Sequence, residues 1–132
     1  RVDIIPLNLA LAQAASESAW GASRFAQIGN SLFGQWTYHQ PSGIVPLDRD
    51  KGATHRVARF DSVRDSVRSY IRNLNTHWAY ASFRSMRHNL RTNNRPLDGY
   101  ALAEGLERYS QRRKAYVAEI QEMILQIQEI ER

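Results

Sequence analysis

Glu17 is the side chain whose setting best suits chemistry. It is the only acidic residue between Asp3 and Asp48, and it closes the apolar stretch that begins at Leu7. A helix from Leu7 to about Trp20 places it near the C-terminal end. Burial and the negative end of the helix dipole both disfavour a carboxylate there and push its pKa up. A carboxyl that keeps its proton near neutral pH is what general-acid cleavage of a glycosidic bond requires. Gln13 lies one turn earlier and Trp20 three residues later, so an amide and an indole share its helix face. The rival reading is a glutamate at the helix edge that simply reaches water, and spacing alone leaves both open.

The elements that must hold this residue follow from pattern. Pro6 suits the first turn of the helix, and Gly21 can end it. The segment Leu7-Asn8-Leu9-Ala10-Leu11-Ala12 is small and apolar nearly all round, which predicts a buried helix. A short helix fits 22–27, and Gly29-Asn30-Ser31 reads as a turn. Residues 37–60 lack helical periodicity and hold Pro41, Gly43, Pro46 and Gly52. They predict a two- or three-stranded lobe or a long irregular loop. Ser62 with Asp65 resembles a capping box. The next helix shows an apolar stripe of Val63, Val67, Tyr70, Ile71 and Leu74 opposite Arg64, Arg68 and Arg72. Another follows from about Tyr80, with Phe83, Met86 and Leu90 inward and Arg84, Arg87 and Arg91 outward. Asp98 can cap a short helix through Leu106, and the last helix runs from about Arg112.

Composition excludes several classes. The chain has 132 residues, a net charge of +5 and no cysteine. One domain is the expected count, with neither a disulfide framework nor a thiolate metal site. No run of about 18 apolar residues is present, so no transmembrane segment is expected. The chain starts at Arg1 rather than Met, which suggests the C-terminal part of a longer one. The four histidines lack metal-binding spacing, so no metal and no cofactor are expected. Neither a phosphate loop nor a serine-nucleophile elbow is present. Basic charge is concentrated in residues 49–95, which carry eleven positive and three negative groups. Such a field attracts polyanions. Solvated helix faces, an anionic envelope polymer and a nucleic acid all fit; the last is disfavoured because the arginines lie on separate helices without a recognition motif. Among thirteen aromatics, Trp36, Tyr38, Tyr100 and Tyr109 fall outside clear core stripes and offer flat faces for sugars.

The segment from Ala14 to Ser23, AASESAWGAS, followed by Gly29-Asn30-Ser31-Leu32-Phe33-Gly34, resembles the signature of the glucosaminidase family of peptidoglycan hydrolases, nearest its Bax-like branch. The likeness continues through Phe60-Asp61-Ser62-Val63, Tyr70 to Asn75, and Gly105 to Ser110. It implies a mainly α (α+β) fold, a lysozyme-like helical domain with a small β lobe beside the catalytic groove. It implies cleavage of the β-1,4 bond after N-acetylglucosamine, the activity named for mannosyl-glycoprotein endo-β-N-acetylglucosaminidases. Glu17 matches the family's general acid, and Tyr109 an aromatic residue that supports the sugar. Gly29, Asn30, Phe33 and Gly34 match the turn that shapes the cleft floor. From the aromatic pattern, Trp20, Phe25 and Phe33 are expected to wall the cleft as part of the core.

One departure stands out. The family's second carboxylate is a glutamate in the β lobe, and residues 37–60 contain none. Asp48 and Asp50 are the carboxylates there, flanked by Arg49 and Lys51. Either can hold a water as base, or both can form an exposed charged turn. The substrate's own acetamido group can attack instead, or Tyr109 can help stabilise the positive charge. The expectation is therefore a peptidoglycan glucosaminidase of the cell envelope, in the periplasm, acting as a monomer on glycan strands. A lytic transglycosylase or a non-catalytic glycan-binding module are the alternatives.

Overall fold

The computed structural model describes residues 2–37, 40, 43–47 and 51–130. It is mainly helical with one two-stranded sheet, the class expected. The chain divides into two compact units.

The first unit comprises Arg1–Gln13 and Ile71–Arg132. It contains the start of α1 (Leu7–Ser18), the end of α3 (Val63–Thr76), α4 (Ala81–Thr92), α5 (Gly99–Leu102) and α6 (Lys114–Ile130). Two 3₁₀ segments, Trp78–Tyr80 and Ala103–Tyr109, link them. Leu9, Leu74, Phe83, Leu102, Leu106, Tyr116, Ile120 and Ile124 are fully buried. The Asp98 carboxylate accepts the Tyr100 N–H at 3.0 Å, the predicted cap of α5. Gly105 lets the second 3₁₀ segment approach α4: a Cβ there would lie 2.5 Å from the Phe83 Cα.

The second unit is Ala14–Tyr70. It holds the end of α1, α2 (Arg24–Gly29), β1 (Trp36–Thr37), β2 (Arg56–Val57) and the start of α3. The strands pair antiparallel, Trp36 opposite Val57 and Thr37 opposite Arg56, with one further bridge from Ile44 to Val57. This is the small lobe anticipated between the helices. The Ser62 hydroxyl accepts the Asp65 N–H at 3.1 Å, which starts α3 as its sequence suggests.

Three helix-face expectations change. α1 is not buried all round, since Leu7 and Leu11 are exposed while Leu9, Ala12, Gln13 and Ala15 are buried. On α3, Ser66, Tyr70 and Leu74 are buried and Val63 and Ile71 are exposed. The small Ser66 side chain accepts the Leu32 N–H at 3.4 Å and so occupies the interior line of that helix. Arg87 does not point outward. It is 2% exposed, because the carbonyls of Asp3 and Ile4 and the Asn75 side chain accept its N–H groups.

Candidate active site

Glu17 sits in the last turn of α1, half-buried. The helix stops one residue later. The Ser18 hydroxyl donates to the Ala14 carbonyl and accepts the Gly21 N–H at 2.9 Å. The Trp20 N–H reaches the Ala15 carbonyl at 2.9 Å. Ala19, Trp20 and Gly21 then take φ of 49°, 59° and 84°. Three successive left-handed residues, two of them with side chains, form a sharp reversal. Each non-glycine residue there costs roughly 1–2 kcal/mol. Strain of this kind is characteristic of sites where geometry is over-determined. Trp20 does not join the core as its type suggests: the left-handed reversal carries it out, 64% exposed.

The chain returns through α2. Ser23 caps its start by accepting the Ala26 N–H at 3.2 Å, and Asn30, left-handed at φ 52°, closes its end. The Asn30 side chain donates to the Phe60 carbonyl at 2.9 Å, and the Phe60 N–H donates to the Gly29 carbonyl at 2.9 Å. This turn is therefore tied to the segment leading into α3. Four residues on, Gly34 is again left-handed, at φ 64°. A Cβ on Gly34 would lie 2.8 Å from Glu17 Oε2 and 3.5 Å from its Cδ. The glutamate carboxyl thus rests directly on the Gly34 backbone. The two halves of the sequence signature, the Glu17 segment and the 29–34 turn, meet at this contact.

The remaining candidates fall in different places. Within the second unit, Phe33 is buried with its ring stacked on Tyr70 at 3.8 Å. Trp36 is 52% exposed and stacks on His55 at 3.7 Å, 11° from parallel. Within the first unit, Gln13 is fully buried, and its amide donates to Tyr116 Oη at 3.0 Å. Tyr109 stacks on Tyr116 at 5.7 Å and packs against Tyr80 at 5.8 Å, so it is one ring of an aromatic row. Tyr100 is exposed on α5. Tyr38, Asp48 and Asp50 lie outside the described residues. His55 and Tyr80 were not anticipated as neighbours of candidate residues. Only strand pairing brings His55 under Trp36, and nothing local in the sequence signals it. Among the described residues, no group of three or more His, Asp or Glu side chains gathers to hold a metal. No helix among them is long and apolar enough to cross a membrane.

Comparison with known proteins agrees with the signature. The glucosaminidase family, described as mannosyl-glycoprotein endo-beta-N-acetylglucosaminidase, matches residues 1–129. The chain is also similar to "Protein bax" of Escherichia coli (strain K12), with 39% identity over 116 residues. That alignment covers 88% of this chain and 40% of the relative, so the chain spans about two fifths of that protein's length. No solved structure matches. The chain belongs to the glucosaminidase family.

Proposed function

We propose, with that membership as premise, that the chain is a catalytic domain that hydrolyses peptidoglycan glycan strands as a β-N-acetylglucosaminidase. Glu17 is its general acid. The observation that carries this reading is the seat of Glu17: a half-buried carboxyl at the end of α1, held against Gly34 by two left-handed turns. A carboxyl so placed loses part of its hydration, and the helix terminus opposes its charge. General-acid catalysis needs a carboxyl held in one place beside the scissile bond, and the Gly34 contact holds it.

The reaction runs as follows. The Glu17 carboxyl gives its proton to the glycosidic oxygen as the bond from the anomeric carbon of N-acetylglucosamine breaks. The leaving sugar departs as an alcohol, and positive charge builds on the anomeric carbon and ring oxygen. Water completes the hydrolysis, adding its oxygen to that carbon and losing a proton. Asp48 or Asp50 takes that proton as general base; in the alternative route the substrate's acetamido oxygen first attacks the anomeric carbon to form an oxazolinium ion, which water then opens while the Glu17 carboxylate takes the water's proton back. Trp20 and Trp36, exposed on the second unit, offer stacking faces to glycan rings. The site of action is the cell envelope, where this substrate lies.

Digestion of purified peptidoglycan followed by mass spectrometry tests the reading. Reducing ends at N-acetylglucosamine are expected. Ends of 1,6-anhydromuramic acid would replace the hydrolase with a lytic transglycosylase. Saturable glycan binding without any product would leave a binding module.

A further inference from the structure

The arginine-bearing face of α4 plays no part in the reaction above. Arg84, Arg87, His88 and Arg91 recur at helical spacing, on one side of α4. With Val2 and Asp3 they line a cavity of about 360 Å³. That volume lies at the lower end of small-molecule sites. Three guanidinium groups face one carboxylate, so the lining carries a surplus of two positive charges with His88 neutral.

The fold fixes each guanidinium. Arg87 donates to the carbonyls of Asp3 and Ile4 at 3.1 and 3.2 Å and to Asn75 Oδ1 at 2.7 Å. Arg91 grips both oxygens of Asp3 at 2.9 Å through Nε and Nη2. Arg84 Nη1 donates to the carbonyls of Leu74 and His77 at 3.0 and 2.8 Å. The single carboxylate is therefore already engaged. Among the described residues, Arg84 Nε and Nη2, Arg91 Nη1 and the His88 ring have no hydrogen-bond partner.

We propose that this cavity binds a doubly charged oxyanion, a phosphate group either free or carried on a small molecule. Guanidinium N–H groups match the oxygens of phosphate in geometry and charge. Donors already immobilised by the fold lose little freedom on binding. A dianion cancels the surplus of two charges, whereas a carboxylate leaves one unmatched. The inference is independent of the glycosidase reading.

Titration of the isotopically labelled full chain, followed by amide NMR, tests it. Inorganic phosphate and glycerol 1-phosphate are the two probes, at about pH 7.5, above the second phosphate ionisation near ~6. Chloride keeps the ionic strength constant. Saturable shifts confined to residues 2–3 and 84–91 are expected. Tighter binding of the ester assigns a substituted phosphate as the ligand; equal or weaker binding assigns the bare ion. Arg84→Gln should weaken affinity about tenfold, the loss of one charge-assisted hydrogen bond. His88→Glu, at an exposed position that carries no tertiary bond, should weaken it at least as much while the fold stays intact. Non-saturating shifts spread equally over Arg64 and Arg68, or unchanged affinity in His88→Glu, would overturn the proposal.

Discussion

Substituting Gly34 by alanine separates catalysis from folding. The backbone there has φ 64°, so any side chain incurs the left-handed penalty, about 1 kcal/mol. The new methyl carbon would also start 2.8 Å from Glu17 Oε2. Ordinary contact needs at least 3.4 Å, so one of the two must move by roughly half an ångström or more. The nearest atom is the tip of a flexible side chain, and Glu17 yields rather than the backbone. The fold survives and the acid is displaced. Misplacement of a catalytic group by about 1 Å costs on the order of 100-fold in rate, so a loss of roughly 10- to 100-fold is expected. Gly52 supplies the control: φ is 85° and nothing lies within 4 Å of its Cβ position. Gly52→Ala incurs the same backbone penalty and meets no neighbour. Thermal melting and release of reducing ends from purified cell walls should be measured on both variants. Equal melting losses are expected, with an activity loss in Gly34→Ala alone. Equal activity in the two would refute the reasoning, because the Glu17 contact would then have no catalytic meaning.

Three further outcomes concern stability. Ala19→Gly removes a side chain from a residue at φ 49° and should raise unfolding free energy in urea by about 0.5–1 kcal/mol. Gly105→Ala drives a methyl to 2.5–2.9 Å from Phe83 backbone and Cβ atoms; a loss of about 3 kcal/mol is expected in the same measurement. The Arg91 hydrogen bonds hold the Asp3 carboxyl well below the ordinary carboxylate range. Its folded-state pKa being depressed, the stability it contributes is present above the unfolded value of about 4 and fades as pH falls below it. Asp3→Asn should therefore cost up to about 1 kcal/mol at pH 7, and the gap to the parent protein should close in acid. A gap that stays constant down to pH 2 would remove the ion pair as its cause.

Local signals in this sequence were readable and distant ones were not. Ser62 with Asp65 and Asp98 before Gly99 mark helix starts because a cap needs only the next three residues. The irregular stretch after Trp36 became a small paired lobe for a similar reason: its prolines and glycines forbid a helix. The expected stripe of α3 holds at Tyr70 and Leu74 and fails at Val63 and Ile71, because Ser66 takes a place on the interior line. Only the Leu32 N–H, more than thirty positions away, selects Ser66. Spacing alone puts Arg87 outward, because two of its acceptors are main-chain carbonyls near the other end of the chain and the third is an Asn75 side chain that only the fold brings to it. At the candidate site, Glu17 was legible as a carboxyl out of keeping with its helix. Its seat on Gly34 was not, since that contact depends on the left-handed turns at 19–21 and at Gly34 together.

The role of Glu17 as the proton donor is tested most directly by Glu17→Gln, which keeps the shape of the side chain and removes its acidity. Purified cell walls should be incubated with this variant and with the parent chain, and soluble glycan fragments quantified, with melting curves recorded in parallel. Loss of all detectable fragment release at an unchanged melting temperature is the predicted result. Fragment release at the parent rate from a folded Glu17→Gln protein would contradict it.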